Sequence, residues 1–247
     1  MRIVVSAGPE EAGEAAADLV LQRLSASSGR VLGVATGSSP RPLYRALAAS
    51  VRAGADLSDV RGFALDEYIG LSRAHPESYH SIVERDVAAP LGLRPEAIRV
   101  PDGRAADPTV AAADYEAAIA GAGGIDVQIL GIGANGHIGF NEPGSPRGSR
   151  TRMVRLEEST RRANSRFFRS LDDVPTHAIT QGVSTILEAR SIVLIASGEA
   201  KAVAVRRSVQ GAWTEDVPAS LLQGHGDVTF FLDPAAASLL GRVPAKA

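Results

Sequence analysis

Short apolar runs alternate with amphipathic segments along the whole chain. The apolar runs predict strands at residues 2–6, 30–35, 62–65, 125–130, 191–196 and 228–232. Between them apolar residues recur at helical spacing, which predicts helices at residues 9–25, 41–53, 107–120 and 199–209. Strands that alternate with helices predict an α/β protein with a mostly parallel sheet covered on both faces. No linker or repeat divides the sequence, so we expect a single domain over residues 1–247.

Composition narrows the classes of function. The chain has 247 residues, of which 45% are hydrophobic, enough for one sizeable core. Its 26 basic and 28 acidic residues give a net charge of −2, which argues against a nucleic-acid-binding surface. Without cysteine there are no disulfides, thiolate ligands or cysteine nucleophiles. No leader and no run of about 18 apolar residues is visible, so we expect a cytoplasmic protein without membrane contact.

A long irregular segment at residues 131–152 is rich in glycine, proline and asparagine. Its first residues match the dinucleotide-binding pattern G-x-G-x-x-G, but that site needs a helix that opens at the third glycine. Pro143, Gly144 and Pro146 follow closely and exclude such a helix, which argues against a nicotinamide-dependent enzyme. A long loop inside a compact domain is usually functional or disordered. Its more informative content is His137 with Asn135 and Glu142 nearby, a combination typical of a positioned proton-transfer group.

Three further clusters follow predicted strands, where ligands bind in open parallel sheets. The turn Thr36-Gly37-Ser38 precedes a helix and could hold an anion on its backbone N–H groups, or could simply start that helix. Asp66 could act as a general base, or could cap a turn. Arg166 and Lys201 could hold a phosphate, or could be ordinary surface cations. The remaining histidines show no ligand spacing, so we expect no metal site.

Taken together and in this order, the clusters resemble the isomerising glucosamine-6-phosphate deaminase family. The resemblance spans nearly the whole chain and rests on these runs: Thr36-Gly37-Ser38-Ser39-Pro40, Leu65-Asp66-Glu67-Tyr68-Ile69-Gly70-Leu71, His75-Pro76-Glu77-Ser78-Tyr79, Gly136-His137-Ile138-Gly139-Phe140-Asn141-Glu142-Pro143, Ser149-Arg150-Thr151-Arg152 and Ala163-Asn164-Ser165-Arg166-Phe167-Phe168. It implies a Rossmann-like, three-layer α/β/α fold used without a nucleotide. It also implies conversion of glucosamine 6-phosphate and water to fructose 6-phosphate and ammonia, without a cofactor.

The same resemblance implies a role for each candidate residue. Asp66 would move the proton between C2 and C1 of the open-chain sugar, and His137 would assist ring opening. Glu142 and Asn135 would orient and tune His137; some members of the family have Asp at position 135, and we expect Asn135 to bind the imidazole without supplying charge. Thr36, Gly37, Ser38, Arg166 and Lys201 would bind the phosphate. Residues 158–173, which include Arg166, are our candidate for a closing segment.

Two other functions share this fold class. A 6-phosphogluconolactonase-like hydrolase would share the phosphate turn and the Gly-His step, but would lack the Phe140-Asn141-Glu142-Pro143 continuation and the Asp66-Glu67-Tyr68 turn. A sugar-phosphate-sensing domain of a transcription regulator would carry a preceding helix-turn-helix, whereas a strand is predicted here from residue 2. The oligomeric state is left open, with a homo-oligomer among the alternatives.

Overall fold

The structure, a computed structural model, describes residues 1–241 and places ten strands in two sheets. The strands, in chain order, are β1 (Arg2–Val5), β2 (Val31–Val34), β3 (Arg61–Ala64), β4 (Asp66–Tyr68), β5 (Ile98–Arg99), β6 (Val127–Leu130), β7 (Arg152–Arg155), β8 (His177–Thr180), β9 (Ser191–Ala196) and β10 (Val228–Leu232). All six strands predicted from the apolar runs are present; the ends of two match the prediction, and those of the other four differ by one or two residues.

The helices include all those predicted from helical periodicity. The α-helices, in chain order, are α1 (Pro9–Ala26), α2 (Arg41–Arg52), α3 (Tyr79–Val83), α4 (Ala89–Leu91), α5 (Pro108–Gly121), α6 (Glu158–Asn164), α7 (Val183–Leu187) and α8 (Ala202–Gln210). A π-helical turn at Glu84–Ala88 joins α3 to α4. Four 3-10 turns lie at Pro95–Ala97, Ser165–Phe167, Glu199–Lys201 and Pro218–Gly224. The helix predicted at residues 199–209 therefore begins with a 3-10 turn and becomes α-helical only at Ala202. Within residues 1–241 no helix has the length and apolarity needed to cross a membrane.

The main sheet has seven strands in the order β1-β10-β9-β6-β2-β3-β5, and all of its neighbouring strands are parallel. Its interior strands β2, β6, β9 and β10 are buried at every position, because helices cover both faces of a parallel sheet. One large apolar core runs along the sheet beneath the helices. This is the predicted Rossmann-like, three-layer α/β/α architecture.

A second, antiparallel sheet of three strands, in the order β4-β8-β7, was not predicted. Residues 66–68 were interpreted as a turn after a strand, and that interpretation is wrong. Leu65 continues the main sheet through its N–H bond to the Val34 carbonyl, and Asp66 directly starts β4. A separate apolar cluster of Tyr68, Phe140, Leu156 and Ala178 packs around this small sheet. The three strands are too short and too polar to show a clear period-2 pattern in the sequence.

Residues 156–176 leave the small sheet at the end of β7 and return at the start of β8, and we call them the 156–176 connection. Its ends are paired, because Leu156 N–H donates to the Thr176 carbonyl at 2.9 Å. It contains α6 and the turn at Ser165–Phe167. Arg161 closes it internally by donating to the carbonyls of Leu171 and Val174. The candidate closing segment, residues 158–173, lies within this connection.

Candidate active site

A cavity of about 720 Å³ opens at the carboxyl ends of β2, β3 and β6, beneath the 156–176 connection. This is the position expected for a ligand site in a parallel sheet. All of the candidate residues named from the sequence line this cavity except Glu142, which lies behind His137. The structure thus brings together side chains that are separated by as many as 165 residues, from Thr36 to Lys201.

The turn at residues 36–39 forms one end of the cavity and leads into α2. Within residues 1–241, the backbone N–H groups of Gly37 and Ser38 have no hydrogen-bond partner. Free N–H groups in a turn that leads into a 12-residue helix favour an oxyanion, because the positive end of the helix dipole adds to their partial positive charge. The geometry of the turn is therefore compatible with a bound anionic group.

Lys201 and Arg166 line the same cavity from distant parts of the chain. Lys201 donates from Nζ to the Ile132 carbonyl at 2.7 Å, which holds the ammonium group at the mouth of β6. Burial, together with the nearby charge of Arg166, lowers the pKa of Lys201. Arg166 lies on the 156–176 connection, with its guanidinium 4.6 Å from the centre of the Phe167 ring. A cation that is partly desolvated and repelled by a neighbour gains most from a bound anion.

His137 forms a hydrogen-bonded group with Glu142 and Asn135. Its Nδ1 lies 3.2 Å from Glu142 Oε2, and Asn135 Nδ2 donates to the same oxygen at 2.7 Å. Because an ionised carboxylate can only accept, the proton of the neutral ring lies on Nδ1. That tautomer leaves Nε2 free to accept or deliver a proton on the other side of the ring.

Asn135 was expected to bind the imidazole itself, and the structure corrects this. Its Oδ1 accepts from the backbone N–H of His137 at 3.2 Å, and its amide group contacts Glu142 rather than the ring. Asn135 therefore orients the carboxylate and the turn, while Glu142 makes the one hydrogen bond to the ring within residues 1–241. The side-chain amide can do both because it carries a donor and an acceptor.

Glu142 is 7% exposed and is held in its ionised form. Burial raises the pKa of Glu142, but the hydrogen bond and charge of His137, with hydrogen bonds from Thr160 and Asn135, outweigh it and leave the pKa below its ordinary value. Thr160 Oγ1 donates to the other carboxylate oxygen, Oε1, at 2.5 Å. The donors thus keep this carboxylate ionised beside the histidine.

The glycine pattern that resembled a dinucleotide site makes room for the His137 ring. A methyl group at Gly133 would lie 2.3–2.4 Å from three atoms of the His137 ring, so the ring lies flat against the backbone there. Gly133 N–H also donates to the His137 carbonyl, which closes the turn. No helix occurs between β6 and β7, as Pro143 and Pro146 predicted. The close approach that a pyrophosphate would need is used here by an imidazole.

Asp66 faces the cavity at the junction of the two sheets. Asp66 is 6% exposed, and no hydrogen bond to its carboxylate occurs within residues 1–241. Burial and, to a smaller extent, the charge of Glu67 raise the pKa of Asp66 to about 8. A desolvated carboxylate without donors is a stronger base than one in water, and strongly shifted pKa values cluster at functional sites.

The adjacent Glu67 points away from the cavity, and its carboxylate is hydrogen-bonded to neighbouring groups of the protein. It accepts from Ser78 Oγ at 2.7 Å and from the backbone N–H groups of Tyr68, Tyr79 and His80 at 2.8–3.0 Å. These bonds tie the start of α3 to β4. Glu67 is therefore a structural residue, and Asp66 is the carboxylate available for chemistry.

Comparisons with known proteins address the whole chain. The sequence model of a family described as glucosamine-6-phosphate isomerases/6-phosphogluconolactonase matches residues 7–230. The chain belongs to this family. A protein of Pseudarthrobacter chlorophenolicus named glucosamine-6-phosphate deaminase is 50% identical over 97% of this chain and 93% of its own length. One of Streptomyces coelicolor with the same name is 50% identical over the same shares.

Solved structures of the glucosamine-6-phosphate isomerase/6-phosphogluconolactonase family match the fold. A monomeric glucosamine-6-phosphate deaminase superposes with a TM-score of 0.94 at 40% identity, covering 97% of this chain and all of that one. The 6-phosphogluconolactonase of Trypanosoma brucei superposes with a TM-score of 0.76 at 21% identity, over 97% of this chain and 98% of its own. At that identity the likeness shows the shared fold alone.

Several cavity residues of this family member were not predicted as site residues. Tyr68, Tyr79 and Phe140 form an aromatic wall with ring centroids 4.9–6.0 Å apart. Thr160 and Asn164 face the cavity from α6, and Asn164 Nδ2 donates to the Tyr68 hydroxyl at 2.9 Å. Their four-residue spacing puts both on one face of α6 and was the available signal. A short polar helix face is usually solvated, so the sequence alone favours the wrong interpretation.

Proposed function

We propose that this chain is a glucosamine-6-phosphate deaminase, which converts glucosamine 6-phosphate and water to fructose 6-phosphate and ammonia. The observation that carries the proposal is the pairing, in one cavity, of an imidazole backed by an ionised carboxylate with a desolvated, unbonded Asp66. The first suits ring opening, and the second suits transfer of a carbon-bound proton. The shared name of the half-identical relatives supports the same reaction.

The phosphate group would bind at the turn formed by Thr36, Gly37 and Ser38. Lys201 and Arg166 would neutralise its charge from two other elements. Lys201 supplies a compact charge fixed by the Ile132 carbonyl, whereas Arg166 reaches in from the 156–176 connection. Phosphate binding would therefore favour the state in which the 156–176 connection packs over the sugar.

Ring opening would use His137 through its free Nε2. The ring moves the proton of the C1 hydroxyl to the ring oxygen as the C1–O5 bond breaks, which gives the open-chain aldehyde. Glu142 stabilises the transient imidazolium through Nδ1–H, and Asn135 holds Glu142 in place. Each proton taken up by the histidine is returned, so the group is unchanged at the end of the step.

Isomerisation would use Asp66 as a single base. It removes the proton from C2, next to the aldehyde, and the resulting enolamine takes a proton back at C1. Water then adds to the C2 imine, and the C2–nitrogen bond breaks to release ammonia and the C2 ketone. No hydride is transferred, and His137 and Asp66 would supply the proton transfers of ring opening and isomerisation without a metal or an organic cofactor.

The decisive test is incubation of the protein with glucosamine 6-phosphate, with and without a chelator, and assay of both products. We expect equal yields of ammonia and fructose 6-phosphate, unaffected by the chelator and abolished in Asp66→Asn. Asp107→Asn is the matched control, because Asp107 caps α5 away from the cavity and Asn also caps helices. A folded wild-type protein that makes neither product contradicts the proposal, and hydrolysis of 6-phosphogluconolactone instead would assign the rival activity.

Two coarser predictions belong to the same proposal. We propose action in the cytoplasm, because a phosphorylated sugar carries charge that opposes passage through a bilayer. A homo-oligomer stays an open alternative; the solved relative with 40% identity is itself described as monomeric.

A further inference from the structure

Thr160 is a buried residue of α6 whose hydroxyl reaches the proton-transfer group from outside it. Its side chain is 6% exposed, and Oγ1 donates to Glu142 Oε1 at 2.5 Å. The two residues are 18 positions apart and belong to separate segments, the 131–151 loop and the 156–176 connection. Buried hydroxyls normally bond to the backbone or to water, so a bond to a buried carboxylate is a specific arrangement.

The two oxygens of Glu142 have different partners. Oε2 receives Asn135 Nδ2 and faces His137 Nδ1, and both of these donors lie in the same loop as Glu142. Oε1 receives Thr160, which is its only hydrogen-bond donor within residues 1–241. A carboxylate held at one oxygen can still turn about its last bond, whereas one held at both oxygens has a fixed plane. That plane decides how well Oε2 lines up with the histidine N–H.

A second hydrogen bond, on the same face of α6, also holds this helix over the cavity. Asn164, one turn after Thr160, donates to the Tyr68 hydroxyl at 2.9 Å. Phe168 packs edge-on against Tyr68, with ring centroids 5.8 Å apart. These contacts do not reach Glu142. Among the described residues of the 156–176 connection, Thr160 is therefore the one that hydrogen-bonds to the carboxylate behind His137.

We propose that Thr160 is a positioning residue: its hydroxyl fixes the plane of the Glu142 carboxylate, so that His137 is aligned for proton transfer when α6 is seated over the cavity. The kinetic consequence rests on the proposed function, because it concerns ring opening. The geometric consequence does not depend on it. Removing the hydroxyl would leave a buried, ionised oxygen without a donor, and the carboxylate would turn to find one.

The kinetic test compares two substitutions at position 160, one that removes the hydroxyl donor and one that retains it. Thr160→Val keeps the branched shape and loses the donor, whereas Thr160→Ser keeps the donor. We expect kcat of Thr160→Val to fall about tenfold or more with KM within about threefold of wild type, because misalignment of a proton-transfer group costs rate rather than binding. Thr160→Ser should recover most of the rate.

The control in the same connection is Ser170→Ala. Ser170 is exposed and bonds only to Asp173, so its loss removes a hydroxyl without touching Glu142. It should behave as wild type. Equal rate losses in Thr160→Val and Thr160→Ser, or none in either, would overturn the proposal.

A binding probe separates alignment from closure of the connection. The reduced, open-chain amino alcohol with a 6-phosphate has no ring to open, so its inhibition constant reports binding alone. For Thr160→Val we expect that constant to stay within about threefold of wild type. A tenfold weaker constant would mean that Thr160 only seats α6, which contradicts the proposed role.

A spectroscopic experiment tests the positioning role of Thr160 even if glucosamine 6-phosphate is not the substrate. The Nδ1 proton of a histidine bonded to a carboxylate resonates far downfield, and the signal of His137 is identified by its loss in His137→Asn. Thr160→Val should shift this signal or broaden it by exchange with water, and Thr160→Ser and Ser170→Ala should not. An unchanged signal in Thr160→Val would show that the hydroxyl does not position the pair.

Discussion

Asp66 and Glu67 show how two adjacent carboxylates acquire different roles. Successive side chains of a strand point to opposite faces, so β4 directs Asp66 into the cavity and Glu67 toward α3. Glu67 accepts four hydrogen bonds and anchors the backbone there. Asp66 accepts none within residues 1–241 and remains a base. The environment, and not the residue type, separates the two functions.

The pH dependence of the rate should report the ionisation of Asp66. Burial raises the pKa of Asp66 to about 8, and only the ionised form can remove a proton from carbon. We expect kcat/KM to rise with pH toward a plateau above about pH 8, and to lose up to about tenfold per unit below it. The measurement is a pH–rate profile, made with a coupled assay that does not depend on inorganic phosphate. A flat profile between about pH 6 and about pH 8 would contradict this assignment.

Ionisation of Asp66 should destabilise the folded protein at alkaline pH. The pKa of Asp66 is raised in the folded protein from an unfolded value of about 3.9, so folding holds a proton that the unfolded chain releases. The stability from this proton is complete below about pH 4 and is lost as pH rises through about 8. Asp66→Asn should therefore melt at a higher temperature than wild type near pH 8, and the difference should vanish near pH 4. For a chain of this size, 1 kcal/mol corresponds to about 2–4 °C.

Asp107→Asn is the matched control for that comparison. Asp107 accepts from Thr109 N–H at the start of α5, and this cap lowers the pKa of Asp107. Its amide variant should show no stabilisation at alkaline pH. A melting difference for Asp66→Asn that is the same at both pH values would mean that packing, and not ionisation, is responsible.

At the scale of elements, the turn after His137 needs glycine at position 139. Gly139 has φ +54°, and a methyl group there would lie 2.9 Å from Thr180 Oγ1 and 3.5 Å from Asp66 Oδ2. We expect Gly139→Ala to destabilise the protein by about 1–3 kcal/mol and to reduce activity, because alanine is strained at this φ and its methyl group would collide with Thr180 beside Asp66. Gly148→Ala, in the same loop with open space around it, should be tolerated in melting and rate assays. Equal melting temperatures for the two variants would contradict this role.

The 156–176 connection should move as one unit because Arg161 holds it together. The guanidinium of Arg161 donates three hydrogen bonds to the carbonyls of Leu171 and Val174. Each bond from a charged donor is worth about 1.5–3 kcal/mol, so Arg161→Ala should speed amide hydrogen exchange in residues 157–176 by at least about tenfold.

The neighbouring Arg162 provides the control for the hydrogen-exchange experiment. It makes only an exposed ion pair with Glu158 four residues away. Such surface pairs contribute little, so Arg162→Ala should leave exchange in the connection nearly unchanged. Faster exchange throughout the chain in Arg161→Ala would instead indicate a general loss of stability rather than a local one.

At the scale of the whole molecule, one apolar core runs along the seven-stranded sheet, and two small clusters support the three-stranded sheet. The two sheets are joined directly at Leu65 and again by the Gln181 N–H bond to the Leu65 carbonyl at 2.7 Å. We predict a single cooperative unfolding transition, with calorimetric and van't Hoff enthalpies that agree. Two transitions would contradict the single-domain prediction and would point to separate melting of the small sheet.

The sequence predicted most of the main sheet because its interior strands are continuous apolar runs. Ser191–Ala196 and Val228–Leu232 were predicted to the residue, since every side chain in them is buried. The small sheet was missed because β4 and β7 are short and carry Asp66, Arg152 and Arg155. Only pairing with β8 makes these residues into strands. Lys201 was expected in the first turn of an α-helix. It is instead the last residue of a 3-10 turn, which helical periodicity does not distinguish from an α-helical turn.

By itself, the sequence determined the fold class, the edge of the sheet that carries the chemistry and the residue types gathered there. These follow from periodicity, and from where polar side chains follow apolar runs. Tertiary structure decided which atoms meet: that Asn135 bonds to Glu142 and not to the ring, that Gly133 admits the imidazole, and that Thr160 reaches the carboxylate. Such contacts depend on side-chain direction and on elements distant in the chain, and neither is encoded in local spacing.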